Sequence, residues 1–270
     1  WQYGWFRPLQ RIVRGCIVYQ KKSITALFIS FCMRKNGAKT ETPMSLKKVT
    51  KLLISQFLYY TGVVFLVEKV APARGVIILA YHRVKEGAAD PLNMTISPRD
   101  FEIQIKYLAA HYVPIRLADV WQRLNEPGPA RVVITFDDGY ADNYHHALPI
   151  LQRHAVPAIF FLAVGPIENR TSLWYDRICR SIFSCQGEAL DLSAFGLSEK
   201  TVADDRQKAK TAKALVLYAK KNLDRHQTDA LIRYLQRHCP GGDAGRSEML
   251  TWEQVREMAD AGMEFGAHTM

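Results

Sequence analysis

At 270 residues the chain holds one large domain or two small ones, and 48% apolar against 23% charged residues is enough for a true core. The net charge of +10 sits at one end: residues 1–74 carry thirteen Lys and Arg against two Glu, a net of +11, which leaves −1 for residues 75–270. A near-neutral remainder argues against a nucleic-acid enzyme, which gathers basic charge around its site, whereas a basic stretch rich in Phe, Tyr and Leu suits peripheral contact with an anionic membrane surface.

The chain begins at Trp1, and its first 43 residues are mixed in character. Ile24 to Met33 is an apolar run of ten residues. That is too short to span a bilayer, which takes ~20 residues as a helix. Arg34-Lys35 follow it at once and no small-residue cleavage site appears, so it does not read as a signal peptide. Met44-Ser-Leu-Lys-Lys reads as a natural start, which makes 1–43 an upstream or non-native segment. Residues 44–74 then form a basic apolar helix that either lies at a membrane interface or packs against the domain, with a single span as the lesser alternative. Its apolar run, Leu52 to Val67, is broken by Ser55, Gln56, Thr61 and Gly62.

The globular part is expected over 75–270. Val76 to Ala80 reads as a first buried strand, tipped by Tyr81-His82. Ser97-Pro98 opens a helix, with Ser97 as N-cap and Pro98 at its first position; Phe101, Ile105 and Leu108 are its core stripe. A second helix is predicted over Leu117 to Leu124, ending before Asn125-Glu-Pro-Gly-Pro129. Val132 to Phe136 is the central strand, and Asp137-Asp138-Gly139 ends it. Carboxylates beside a buried strand are costly unless compensated. A metal ion is the usual compensation for neighbouring Asp residues at a strand end, and Gly139 lets the backbone turn with φ > 0. An ordinary Asp-Asp-Gly turn remains the bland alternative at this point. Ala141 to His154 reads as helical, with a kink or fresh start at Pro149. Ala158 to Ala163 is a further strand.

From 165 to 247 the pattern changes to a helical insertion. A turn at Trp174-Tyr175-Asp176 either lines a sugar site or anchors the insertion. Helices follow over Glu199 to Leu223 and Thr228 to His238. Thr251 and Gln254 then mark a capping box, with Trp252, Val255 and Met258 on one face and Gly262 at the stop. Met263 to Gly266 enters a last strand before Ala267-His268. Alternating strands and helices of this kind argue for an α/β fold with a largely parallel sheet. Its ligands belong beyond the carboxyl ends of the strands. The five cysteines (Cys16, Cys32, Cys179, Cys185, Cys239) contain no CxxC pair. They read as buried free thiols, which leans toward a cytoplasmic or membrane-associated protein and away from a disulfide framework.

Thr135-Phe-Asp-Asp-Gly-Tyr140 resembles the first signature of the NodB-homology polysaccharide deacetylases, a family of carbohydrate esterases. Tyr81-His82-Arg83-Val84 resembles the strand that opens many members. Leu250-Thr-Trp through Ala267-His268-Thr269 resembles the run into the second signature, His-Ser/Thr-x-x-His. The resemblance covers roughly 75–163 and 248–270 and implies a partial (β/α) barrel with a helical insertion. It also implies a metal-dependent hydrolase that removes N-acetyl groups from a polysaccharide or sugar-lipid intermediate. Under that reading Asp137 is the catalytic base, and Asp138 and His268 are ligands of a divalent metal, most readily Zn²⁺. Tyr140 and His82 are the candidates for contacts with the substrate or its oxyanion. The third ligand belongs four residues after His268, beyond the sequence, so this chain is expected to bind metal poorly and to be inactive while a longer parent is active. Two alternatives stand beside it: a glycan-binding or scaffold protein on the same fold, and an amidohydrolase acting on a non-sugar amide.

Overall fold

The computed structural model describes residue 61, residues 75–87, 90–240 and 247–268, and the backbone of 16–19. Apart from Thr61 the expected helix over 44–74 lies outside the described residues, as does most of 1–43. One piece of that first segment does enter the fold. Cys16–Tyr19 forms an edge strand, β1, parallel to β2 (Val76–Tyr81), with Cys16 opposite Val76. The rest of 1–43 lies outside the described residues.

After β2 come two short paired strands, β3 (Arg83–Val84) and β4 (Thr95–Ile96). Helix α1 (Pro98–His111) starts where predicted: the Ser97 side chain accepts from Asp100 N–H, and Phe101, Ile105 and Leu108 are buried. Strand β5 (Val113–Pro114), a 3₁₀ turn over Leu117–Asp119 and the short α2 (Val120–Arg123) lead to β6 (Arg131–Phe136), which is buried along its whole length. The following helix is interrupted as Pro149 requires. A π-helical turn (Asn143–Ala147) gives way to α3 (Leu148–Arg153), because Pro149 has no N–H to donate to the turn before it. Strand β7 (Ala158–Leu162) and the short α4 (Val164–Glu168) follow.

The described main sheet is all parallel, in the order β1, β2, β6, β7 and finally β10 (Glu264–Ala267), with β5 beside the start of β6. Spatial order follows chain order along this path, apart from β5, which precedes β6 in the chain but flanks it on the side away from β2. A doubly wound sheet reverses at a switch point, whereas a barrel winds one way. The open, singly wound sheet agrees with the partial barrel expected. Its core centres on stacked Phe136 and Phe160, with Phe101, Ile105 and Leu151 fully buried around them.

The insertion has a separate core. Helix α5 (Trp174–Ser184), strands β8 (Ala189–Leu190) and β9 (Lys200–Thr201), and helices α6 (Asp205–Asn222) and α7 (Arg225–His238) enclose Ile178, Ile182, Leu192, Leu215, Leu231 and Leu235. Three readings of this region are corrected. Trp174-Tyr175-Asp176 is the first turn of a helix, not a free turn. Glu199 to Asp204 holds β9 and the N-cap of α6, because Asp204 accepts from Gln207 N–H and opens the helix there. Cys185 and Cys239 are joined in a disulfide across the ends of α5 and α7, so they are not free thiols; Cys179 is free and buried. The last helix, α8 (Trp252–Asp260), carries the predicted capping box and buries Val255 and Met258. Trp252 departs from that face: it is 36% exposed and its indole N–H donates to Glu168. Among the described residues no helix is long and apolar enough to cross a membrane.

Candidate active site

The site is built at the carboxyl end of β6. Asp137 continues the ladder, its N–H donating to the Tyr81 carbonyl at 2.9 Å. The chain then turns through two residues of positive φ, Asp138 at +77° and Gly139 at +80°. Positive φ is uncommon for a side-chain-bearing residue, and such strain persists where the surroundings enforce it. Here the Asp138 carbonyl accepts from Ala163 N–H at 3.1 Å and the Gly139 carbonyl from Leu250 N–H at 2.9 Å. A Cβ at Gly139 would also lie 2.8 Å from Leu162 Cδ2 and 3.3 Å from Ile167 Cδ1, so those side-chain ends would have to shift.

The two carboxylates meet different surroundings. The Asp137 side chain is 26% exposed, and its Oδ2 lies 3.7 Å from His82 Nε2. Burial raises its pKa; the nearby His82 and His268 pull it back, and Asp138 pushes it up. A base held above the ordinary carboxylate range takes a proton more readily. Asp138 is 7% exposed, and its Oδ2 accepts the Tyr175 hydroxyl at 2.6 Å, a short charge-assisted bond. His268 follows β10, half-buried, with its N–H donating to the Leu162 carbonyl at 2.8 Å. Asp137 is therefore the point at which His82, His268 and Asp138 are electrostatically joined.

The Tyr140 side chain is engaged within the fold. Its ring is fully buried and its hydroxyl donates to Asp176 Oδ2 at 2.9 Å, with the Tyr175 oxygen 3.3 Å away. The Arg83 guanidinium lies 4.1 Å over the ring. An ordered network thus occupies the side chain. Burial pushes both the Tyr140 and Tyr175 phenols far up, so both stay protonated.

Sequence reasoning missed most of this supporting network. Arg83 Nε donates to Asp142 Oδ2 at 2.8 Å, Val84 N–H donates to Asp142 Oδ1 at 2.9 Å, and Arg83 Nη1 lies 2.6 Å from Glu248. Asn143 Nδ2 donates to the His82 carbonyl at 2.9 Å. Asp176 is raised to about 6, chiefly by burial, with the Arg83 charge and the Tyr140 hydroxyl pulling it down. Arg83 lies within the Tyr81-His82-Arg83-Val84 stretch, and an Arg in a buried strand was the available signal that a carboxylate partner was needed. His145 and His146 are exposed and His154 pairs with Glu102, so all three stand apart from the site.

The donor types at the site, carboxylate oxygen and imidazole nitrogen, are those a divalent ion such as Zn²⁺ accepts. Among the described residues, however, no group of three or more His, Cys, Asp or Glu has the arrangement to hold a metal. Asp138 and His268 fit the ion in kind and fall short of it in number.

Comparison with known proteins bears on the same stretch. The polysaccharide deacetylase family model matches residues 125–185. The poly-beta-1,6-N-acetyl-D-glucosamine N-deacetylase of Escherichia coli (strain K12) is 33% identical over 99 residues, 35% of this chain and 15% of that protein. The enzyme of the same name from Staphylococcus epidermidis is 29% identical over 106 residues, 34% of this chain and 37% of that protein. The matches thus span well under half of either relative's length. Among solved structures, Streptococcus pyogenes deacetylase PplD in complex with acetate aligns at a TM-score of 0.41 and 19% identity, over 72% of this chain and 56% of that one.

Proposed function

We propose that this chain, which carries a polysaccharide deacetylase domain of the NodB type, serves the removal of N-acetyl groups from a polymer of β-linked N-acetylglucosamine. The observation that carries the reading is Asp137: a partly buried carboxylate at a strand's carboxyl end, raised by burial and faced by two histidines. Hydrolysing an acetamide adds water to the carbonyl, forms a tetrahedral centre, and breaks the C–N bond to give acetate and an amine. Asp137 accepts the proton that the attacking water loses. His82 Nε2 stands beside the base, 3.7 Å from Asp137 Oδ2. The strained Asp138-Gly139 turn fixes the direction of the Asp137 side chain. Asp138 and His268, with a further donor, would hold a divalent cation, which when bound makes water a nucleophile near neutral pH and polarises the carbonyl.

The polymer assignment is supported by the names of the two relatives and by the half-open position of Asp137. Compartment is a separate matter. The disulfide removes the free-thiol argument for the cytoplasm and favours an oxidising compartment, with peripheral membrane contact through the basic N-terminal region.

The test is acetate release from β-1,6-linked N-acetylglucosamine oligomers by a longer parent protein that contains these residues, with Zn²⁺ or Co²⁺ added. Asp137→Asn is expected to lower the rate by about 10²- to 10⁴-fold, the usual contribution of a positioned base. An Asp137→Asn protein as fast as its parent removes the base assignment. Tight oligomer binding with no acetate released favours the glycan-binding scaffold instead.

A further inference from the structure

A cavity of about 430 Å³ opens beside the Asp138-Gly139-Tyr140 turn, between α4 and the start of α8. Buried Ile167, Met249 and Leu250 form its floor, and Glu168, Arg170, Trp252 and Glu253 stand exposed around it. The floor adjoins the turn: Leu250 N–H donates to the Gly139 carbonyl at 2.9 Å, Met249 pairs with Tyr140 in a β-bridge, and Ile167 Cδ1 would lie 3.3 Å from a Cβ on Gly139. Helix α4 leaves the carboxyl end of β7, and α8 runs back to the start of β10, which is parallel to β7. Both helices therefore open at the rim that carries Asp137, where the ligands of parallel sheets bind. The volume is within the range of small-ligand sites, about 300–1,000 Å³. Trp252 is the part of this cavity that packing does not account for. The period of α8 would bury it beside Val255, yet it lines the cavity with its indole N–H held by Glu168 Oε2 at 2.8 Å. A ring fixed by its edge keeps its apolar surface available and loses little freedom when a ligand arrives.

We propose that this cavity is a sugar subsite: it holds a neighbouring N-acetylglucosamine residue of the glycan whose acetamide lies at Asp137, with Trp252 as the platform on which the ring stacks. This rests on the reading of the chain as a glycan deacetylase domain. A pyranose presents C–H groups on its faces and hydroxyls around its edge. The cavity carries the matching pattern, with an indole and an apolar floor for a face, and the acceptors Glu168 and Glu253 and the donor Arg170 for the edge. Charges of both signs stand around it, which suits a neutral polar ring better than a ligand of one strong charge. The bland alternative is a staple, in which the Trp252–Glu168 bond only ties α8 to α4. The two differ in one respect: a staple moves the melting temperature alone, and a platform moves the affinity for sugar.

The probe is a β-1,6-linked N-acetylglucosamine hexamer, titrated by calorimetry into the whole 270-residue chain without added metal, beside thermal melts. The parent is expected to bind it. Trp252→Ala should bind about 10- to 30-fold more weakly, the share that a central Trp commonly carries in a contact. Trp252→Phe, which keeps a ring and guards against a variant that fails to fold, should show a smaller loss in the same direction. Trp121→Ala removes a more exposed indole, on α2 ahead of the amino end of β6, and should bind as the parent does. Trp252→Ala binding within two-fold of the parent, whatever its melting temperature, overturns the platform and leaves the Asp137 reading standing. An equal loss in Trp121→Ala overturns it too, because the sugar would then be stacking on any exposed indole. A parent that binds no hexamer also overturns the subsite, whereas acetate release by the longer protein decides the deacetylase reading independently.

Discussion

Asp176 makes the network around the site measurable through stability alone. Its carboxyl is raised from an ordinary 3.8 to about 6 because burial penalises the charged form more than Arg83 and Tyr140 repay. Below about 4 the group is protonated in folded and unfolded chains alike and contributes nothing. Between the two values the folded protein holds the extra proton, so stability falls as pH rises. Above about 6 the carboxylate is charged and buried, and the full cost is present. A shift of roughly two units corresponds to about 3 kcal/mol at most. Asp176→Asn is neutral throughout and still offers Tyr140 a carbonyl oxygen. Urea unfolding of parent and variant from pH 4 to pH 8 should therefore give curves that converge near pH 4. They should separate by up to about 3 kcal/mol by pH 7.5, with the variant the more stable. A difference that stays constant across that range would refute the reasoning, because it would show that Asp176 does not titrate in the folded protein with a raised pKa.

Two further outcomes follow from local geometry. Gly139→Ala places a Cβ 2.8 Å from Leu162 Cδ2 at a φ of +80°, and should destabilise the domain by about 1–3 kcal/mol as backbone strain; a melting temperature equal to the parent's would show that the turn relaxes freely. Reducing the Cys185–Cys239 disulfide, which closes a sequence separation of 54 residues, should cost the insertion about 4 kcal/mol on chain-entropy grounds. That loss would be read as faster proteolysis within α6 and α7, and identical digestion with and without reductant would count against it.

What was legible in the sequence shares one physical character: local signals that agree with the tertiary structure. The Ser97 cap with its Phe101, Ile105 and Leu108 stripe, the Thr251–Gln254 capping box and the apolar run of β6 each state their conformation within a few residues. What was not legible depends on distance. Helix α5 begins at Trp174 after an N-cap, Leu173, that makes no side-chain capping bond, so nothing local announces it, although Ile178 and Ile182 already stand at helical spacing. The Cys185–Cys239 pair could not be read from spacing, since the cysteine pattern does not set connectivity. Trp252 follows the helical period and still stays at the surface, because Glu168, 84 residues away, captures its indole N–H.

The same distinction explains why the Asp137-Asp138 pair could be singled out from its residues while its machinery could not. Along the turn, successive polar groups are taken by different parts of the chain. Asp137 meets His82 from the end of β2, Asp138 meets Tyr175 from the insertion, and Tyr140 meets Asp176 one residue later. Asp142 then meets Arg83, which in turn reaches Glu248. Each of these contacts spans at least 36 residues of sequence, too far for any local pattern. Together they make the turn a hub on which the segment after β2, the insertion and the chain before α8 all converge. A short turn held from three sides cannot shift one carboxylate without disturbing the others' partners. That is how an exposed-looking Asp-Asp-Gly motif comes to hold two neighbouring carboxylates in lastingly different environments, one open enough to take a proton and one locked by a phenol.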